Sequence, residues 1–184
     1  TEQGKDMPQL VETPAALAET LAPARQRNER IAFVPTMGAL HDGHLALVRT
    51  ALEVADKLVV SIFVNALQFG EGEDYDQYPR TLEADMNALA ELGADIVYAP
   101  NEAVMYPQGF LTNVHVKGIT DVLEGAHRPG HFNGVATVVA KLFNQVGPDD
   151  AFFGEKDYQQ LMVIRHMVRD LDMDVRIHGC KVVR

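Results

Sequence analysis

The chain has 184 residues, 47% of them hydrophobic, enough to bury one good core, so a single main domain over 1–184 is expected. Lys and Arg total 16 against 26 Asp and Glu, a formal charge of −10. The average surface field therefore repels nucleic acid, and any anionic ligand has to be met by local cations and backbone donors. The one cysteine, Cys180, has no intramolecular disulfide partner, and the sequence shows no Cys/His cluster, export signal or apolar run of membrane length. Those features point to a cytoplasmic protein without a structural metal and without a nucleic-acid or membrane partner.

Residues 1–12 are expected to be unstructured or tag-like. Thr13 followed by Pro14 opens a helix whose body is AALAETLAPARQ, with Pro23 blurring its end. IAFVP at 31–35 predicts a strand, and LALVRTALEVA from Leu45 has helical periodicity. LVVSIFV at 58–64 is a continuous apolar run rich in β-branched residues, as in a strand buried on both faces of a parallel sheet. NALQFGEGEDYDQYPR reads as a loop, Thr81 as the cap of a helix through ADMNALAEL that stops at Gly93, and DIVYAP as a strand. Between Asn101 and Pro129 the pattern weakens, with TNVHV as a short strand in a segment that folds over the sheet edge as a lid or dimer element. FNGVATVVAKLFNQV then predicts a helix, AFFG a strand, YQQLMVIRHMVRDL a helix and DVRIHG a last strand.

This alternation implies a Rossmann-like, doubly wound α/β fold, with a mostly parallel sheet and helices on both faces. Its ligand crevice lies beyond the carboxyl ends of the strands. The loops beginning at Pro35, Asn65, Pro100 and Gly154 then share one rim, and the unusual polar residues cluster in three of them.

PTMGALHDGHLALV places a helix start and the imidazoles of His41 and His44 at one point of that rim, where an anion is expected. Imidazole donates hydrogen bonds to phosphate oxygens, and Gly38 and Gly43 permit close backbone approach. The bland alternative is a capped turn with two exposed histidines. A second alternative is a metal held by His41, His44 and the adjacent Asp42, but the pattern lacks HExxH and an obvious third ligand apart from His131. FGEKDYQQL repeats the logic after the fourth strand: Gly154 allows a tight exit, Lys156 supplies positive charge, and Asp157 either caps the helix or meets a nucleotide. Gln68 and Gln160 form a pair of amides suited to a hydroxyl or carboxylate. In AHRPGHFNGV, Arg128 and His131 precede a helix, as a clamp for phosphate or a second substrate or as ordinary surface residues. The acidic loop of Glu71, Glu73, Asp74 and Asp76 fits either Mg2+ or solvent and receives no role. His166 and His178 read as surface or core fillers.

At HDGH, preceded by PTMGAL, the chain resembles the nucleotidyltransferase superfamily that bears the HIGH motif and includes class I aminoacyl-tRNA synthetases. With VSIFVNALQF, YPRTLEAD, LEGAHRPGHFNGVATVVAKLF and FGEKDYQQL, in that order, it is similar to the pantothenate synthetase (pantoate–β-alanine ligase) family over essentially residues 30–184. The resemblance implies ATP-dependent condensation of pantoate with β-alanine through a pantoyl adenylate, with Mg2+ accompanying ATP, in a homodimer. It places ATP on Pro35, Thr36, Met37, Gly38, Ala39, Leu40, His41, Asp42, Gly43 and His44. A second ATP-binding stretch is Gly154, Glu155, Lys156 and Asp157, with Val183 near the adenine. His44, His41 and Lys156 would be catalytic, and Gln68, Gln160, Asn65, Arg128 and His131 would hold substrate. No resident metal ligand is implied.

Ala66 and Lys181 stand where the family usually has proline, a change expected to alter loop stiffness only. The chain stops at Arg184, before the family's mobile Ser-Ser-Arg loop and C-terminal lid domain, so low or no turnover is expected of it. Two other functions stay open: a module that binds ATP or pantoate without turnover, and a small adenylyltransferase acting on a phosphorylated substrate.

Overall fold

The computed structural model describes residues 6–119, 128 and 130–181. Strands β1 (Gln9–Val11), β2 (Ile31–Thr36), β3 (Lys57–Ile62), β4 (Ile96–Tyr98), β5 (Asp150–Gly154) and β6 (Arg176–Cys180) alternate with helices. These are α1 (Pro14–Gln26), α2 (Asp42–Val54), α3 (Leu82–Leu92), the short α4 (Glu102–Met105), α5 (His131–Val146) and α6 (Tyr158–Asp170), with a 3-10 turn at Ala66–Gln68. All strand pairs are parallel, in the order β1-β4-β3-β2-β5-β6.

Period-two side-chain alternation splits the core between the two faces of this sheet. Ile31, Phe33, Val59, Ile96, Tyr98 and Phe153 pack under α1, α5 and α6, whereas Ala32, Val34, Leu58, Val60, Val97 and Phe152 pack under α2 and α3. Because both faces are covered, the strands read as unbroken apolar runs. Strand order reverses between β2 and β5, which come from opposite halves of the chain. Their following loops diverge there and open a crevice.

Several local signals act as the sequence predicts. Thr13 Oγ1 accepts the Ala16 N–H at the start of α1, Pro14 occupies the first turn, and Gly93 ends α3 in the left-handed region at φ +89°. Arg25 donates to the carbonyls of Val146 and Gly147, so a cation closes the carboxyl end of α5.

Four expectations need correction. Residues 9–11 are an edge strand on β4; three residues are too few to show alternation, and the parallel partner 87 positions away carries the pairing. TNVHV is not a strand. Its backbone hangs on α5, where Val114 N–H donates to Thr137 Oγ1 at 2.9 Å and Thr137 sits 3.0 Å from Asn113 Oδ1. Thr81 occupies the cap position of α3, but its hydroxyl donates to the Asp85 carboxylate at 3.2 Å, and no side-chain cap bond forms. Asp157 likewise precedes α6 without a capping hydrogen bond.

Candidate functional site

The turn after β2 is built from left-handed backbone, with Gly38 at φ +78° and Ala39 at φ +50°. Thr36 starts it by donating its hydroxyl to the Ser61 carbonyl at 2.7 Å while its oxygen accepts Gly38 N–H at 3.1 Å. The two amides that such a turn points the same way, Ala39 N–H and Leu40 N–H, donate to the two oxygens of Asp85 at 3.0 and 2.9 Å. Asp85 is buried on α3, so one carboxylate satisfies a whole turn. A Cβ at residue 38 would lie 3.1 Å from that carboxylate and 3.0 Å from Ile62, on a backbone that already disfavours side chains.

The turn delivers His41 to the cap of α2 and His44 to its first turn. His41 Nδ1 accepts Gly43 N–H at 3.0 Å, and His44 Nδ1 accepts His41 N–H at 3.2 Å. An Nδ1 that accepts cannot carry the proton, so both neutral rings hold it on Nε2, and Nε2–H is the donor left for a ligand. Burial first, and the neighbouring His41 second, push His44 down from 6.5 to about 4. The ring centroids are 4.0 Å apart, a spacing at which two cations would repel. A metal at these rings would need the Nε2 lone pair that this tautomer lacks, and no group of three or more His, Cys, Asp or Glu side chains suited to a metal occurs among the described residues.

From the far side of the switch point, Glu155 N–H donates to the Cys180 carbonyl at 2.8 Å and turns the chain out of β5. Lys156 and Asp157 follow, exposed and without an ion pair among the described residues. They meet the histidines in one cavity of about 250 Å³, lined by Pro35, His41, Gly43, His44, Lys156 and Gln160 among others. A second cavity of about 190 Å³ shares Pro35, His44, Phe153, Asp157 and Gln160 with it. It adds Asn65, Gln68 and an apolar wall that includes Val135, Val138, Val139 and Leu142. Loops after β2, β3 and β5 thus converge on one crevice, with His44 in the wall common to both halves.

Gln68 is held from behind. Asn65 is only 1% exposed and donates both Nδ2 hydrogens, to Gln68 Oε1 and to the Gly134 carbonyl, each at 3.0 Å. Gly134 lets α5 touch the 3-10 turn; a Cβ there would lie 2.4 Å from the Leu67 carbonyl oxygen, inside contact distance of backbone.

Not every expected residue reaches the crevice. Arg128 pairs with Glu73 at 2.7 Å, and the Arg128 guanidinium holds that carboxyl below its ordinary range. His131 Nδ1 lies 2.9 Å from the Gln68 carbonyl. Both brace the loop after β3, and neither lines the two cavities. Gly38, Ala39, Leu40 and Glu155, in the loops, and Asp42, in the first turn of α2, also stand outside the lining. Val183 lies outside the described residues.

Asp85 and Tyr106 escaped the sequence reading. A signal for Asp85 exists, since it sits with Met86, Leu89 and Ala90 on the buried stripe of α3, where a carboxylate requires partners. His178 proves to be structural, stacked on Phe152 with ring centroids 4.5 Å apart and bonded to Asp150 at 2.7 Å.

A doubly wound, all-parallel sheet with N–H donors and a lysine gathered at its switch point defines a Rossmann-like ligand-binding α/β domain. Within that class the chain belongs to the pantoate-beta-alanine ligase family, whose model matches residues 9–184. It is 59% identical over 178 residues to the pantothenate synthetase of Thioalkalivibrio sulfidiphilus, covering 96% of this chain and 62% of that protein. The Roseobacter denitrificans pantothenate synthetase is 54% identical over 175 residues, covering 95% of this chain and 62% of that protein. The crystal structure of the Thermus thermophilus pantothenate synthetase superposes with a TM-score of 0.90 at 55% identity, over 96% of this chain and 62% of that one. The Francisella tularensis pantoate-beta-alanine ligase, complexed with beta-gamma ATP and beta-alanine, gives a TM-score of 0.91 at 39% identity, over 96% and 68%. The chain therefore spans about three fifths of the length of the first relatives it matches.

Proposed function

We propose that this chain is the nucleotide- and pantoate-binding part of an ATP-dependent carboxylate–amine ligase that joins pantoate to β-alanine. The observation that carries the reading is the meeting of His44 and Lys156, 112 residues apart in sequence, in one cavity adjoining a second that holds Gln68 and Gln160. In this reading the first cavity takes the triphosphate, on the Nε2–H groups of His41 and His44, the α2 amino end and the Lys156 ammonium. The HDGH segment is then a working HIGH motif. The second cavity, below the ~300 Å³ typical of drug-sized pockets, suits a small acid with a branched apolar body against Val135, Val138, Val139 and Leu142 and oxygens on the two glutamines.

In the first step a pantoate carboxylate oxygen attacks the α-phosphorus, a P–O bond forms, the bond to the β-phosphate bridge breaks, and pyrophosphate leaves with the negative charge. His44 and Lys156 stabilise that charge as it moves, and the crevice aligns attacker and leaving group. The β-alanine amine then attacks the acyl carbon, loses a proton and expels AMP. Mg2+ enters with ATP as part of the substrate. Asp157, which lines both cavities and has no ion pair among the described residues, matches the one or two carboxylates plus phosphate oxygens that this ion takes. A homodimeric, cytoplasmic setting belongs to the same proposal, supported by the family resemblance and by a single cysteine with no intramolecular partner.

A binding-only module is the second reading, favoured by the chain's three-fifths coverage of its relatives. An adenylyltransferase for a phosphorylated substrate is disfavoured, since the described residues that line the second cavity include no Lys or Arg. Pantoate-dependent exchange of labelled pyrophosphate into ATP separates the three. Exchange without β-alanine supports the ligase, binding of both ligands without exchange supports the module, and exchange only with a phosphate monoester overturns both.

A further inference from the structure

The loop after β3 presents Gln68 to the small-acid cavity, yet a glutamine amide offers both a donor and an acceptor, and which end faces a ligand decides what it recognises. That choice is made by neighbours outside the cavity. The Gly134 carbonyl only accepts, so it orients the buried Asn65 amide with Nδ2 toward α5 and Oδ1 the other way. Oδ1 meets the Tyr106 hydroxyl at 2.6 Å, and in this orientation the hydroxyl must donate. The second Nδ2 hydrogen then goes to Gln68 Oε1 at 3.0 Å, which engages one lone pair of that oxygen, turns Oε1 toward Asn65 and leaves the Nε2 donor for the cavity.

Tyr106 ends α4, from a segment that otherwise has no place in the crevice. Its ring is wedged between Phe63 and Phe110, with centroids 6.1 and 5.1 Å away, and the Lys141 ammonium lies over the Phe110 ring at 4.8 Å. Burial, then the Glu102 charge, raises the phenol's pKa, so it keeps its proton and stays a donor.

We infer that Tyr106 is a positioning and specificity-determining residue for the small-acid cavity: through Asn65 it orients Gln68 so that its N–H donor faces the cavity and selects an acidic or hydroxyl oxygen. The inference rests on the proposed pantoate site for its ligand, but the relay itself is a property of the free chain. Its logic is one of coupled hydrogen bonds, each of which sets the direction of the next.

Calorimetry with pantoate and, separately, ATP on the whole chain tests it. Tyr106→Phe should weaken pantoate about five- to tenfold, in line with loss of one buried hydrogen bond, and leave ATP affinity unchanged. In a Gln68→Ala background the same substitution should cause no further loss. Equal weakening of both ligands, or the same factor in both backgrounds, would mark Tyr106 as a general packing residue and overturn the inference. If the unaltered chain binds ATP but no pantoate, the proposed function falls. The relay is then judged from side-chain amide NMR of the ligand-free protein. Tyr106→Phe should shift the Asn65 and Gln68 NH2 resonances while sheet amides stay put, and unmoved Gln68 signals would overturn the relay.

Discussion

The two ends of the same parallel strands treat their polar groups in opposite ways. At the amino ends, Asp56 accepts from Arg30 N–H, Asp95 from Leu58 N–H and Asp149 from Ile31 N–H, at 2.7 to 2.9 Å. Asp150, with no solvent exposure, receives Arg30 through two bonds and His178 through a third. At the carboxyl ends, Lys156 and Asp157 are exposed without an ion pair among the described residues, and the two histidines keep an Nε2–H in reserve. Charges at the amino ends are paired with one another or with backbone, whereas Lys156 and Asp157, at the proposed site, have no ion pair among the described residues.

The largest effect expected from breaking the comparison is at the ligand end. Replacing His44 with alanine should lower pantoate-dependent pyrophosphate exchange by roughly 10²- to 10³-fold, by analogy with removing one preorganised donor, with little change in melting temperature. Full exchange in that variant would remove His44 from the chemistry. A sharper check is the ring's own titration: in ligand-free protein, NMR should show His44 protonating near pH 4 rather than 6.5, with the proton on Nε2 above that. A midpoint at the ordinary value would contradict the desolvated setting.

At the paired end the effect should fall on stability instead. Asp150→Asn leaves the partly exposed Arg30 and His178 facing a neutral amide, and should lower the urea unfolding midpoint by an amount tempered by solvent screening of those two cations, without altering ATP affinity. Arg30's hydrogen bonds hold the Asp150 carboxyl below its ordinary range. Folded Asp150 therefore binds its proton less readily than the unfolded chain does. Its contribution is complete above about pH 4, the unfolded value, and is lost as pH falls through the depressed folded value. The asparagine variant should lack that part of the acid limb, and an unchanged acid limb would show the pairing to be unimportant.

The smallest expected effect completes the contrast. Lys156→Gln removes an exposed charge with no ion-pair partner among the described residues, so stability should change by less than about 0.5 kcal/mol while ATP affinity falls. A stability loss comparable to that of Asp150→Asn would erase the distinction between the two ends.

The features legible in the amino-acid order are those with short-range causes. Apolar periodicity placed the strands and helices from Ile31 onward, except for the stretch between Asn101 and Pro129. Thr13, Pro14 and Gly93 marked helix ends through their own backbone preferences, and PTMGALHDGH and FGEK announced two loops rich in donors. Tertiary structure alone decided what depends on residues distant in the chain. It recruited Gln9–Val11 as an edge strand, set the reversal between β2 and β5, tied the Gly38–Ala39 turn to Asp85, and turned Arg128 toward Glu73. It also oriented Gln68 through Asn65 and Tyr106. Each of these is a choice of partner, and a hydrogen bond's partner is settled by which groups packing brings within about 3 Å, information that no local pattern contains.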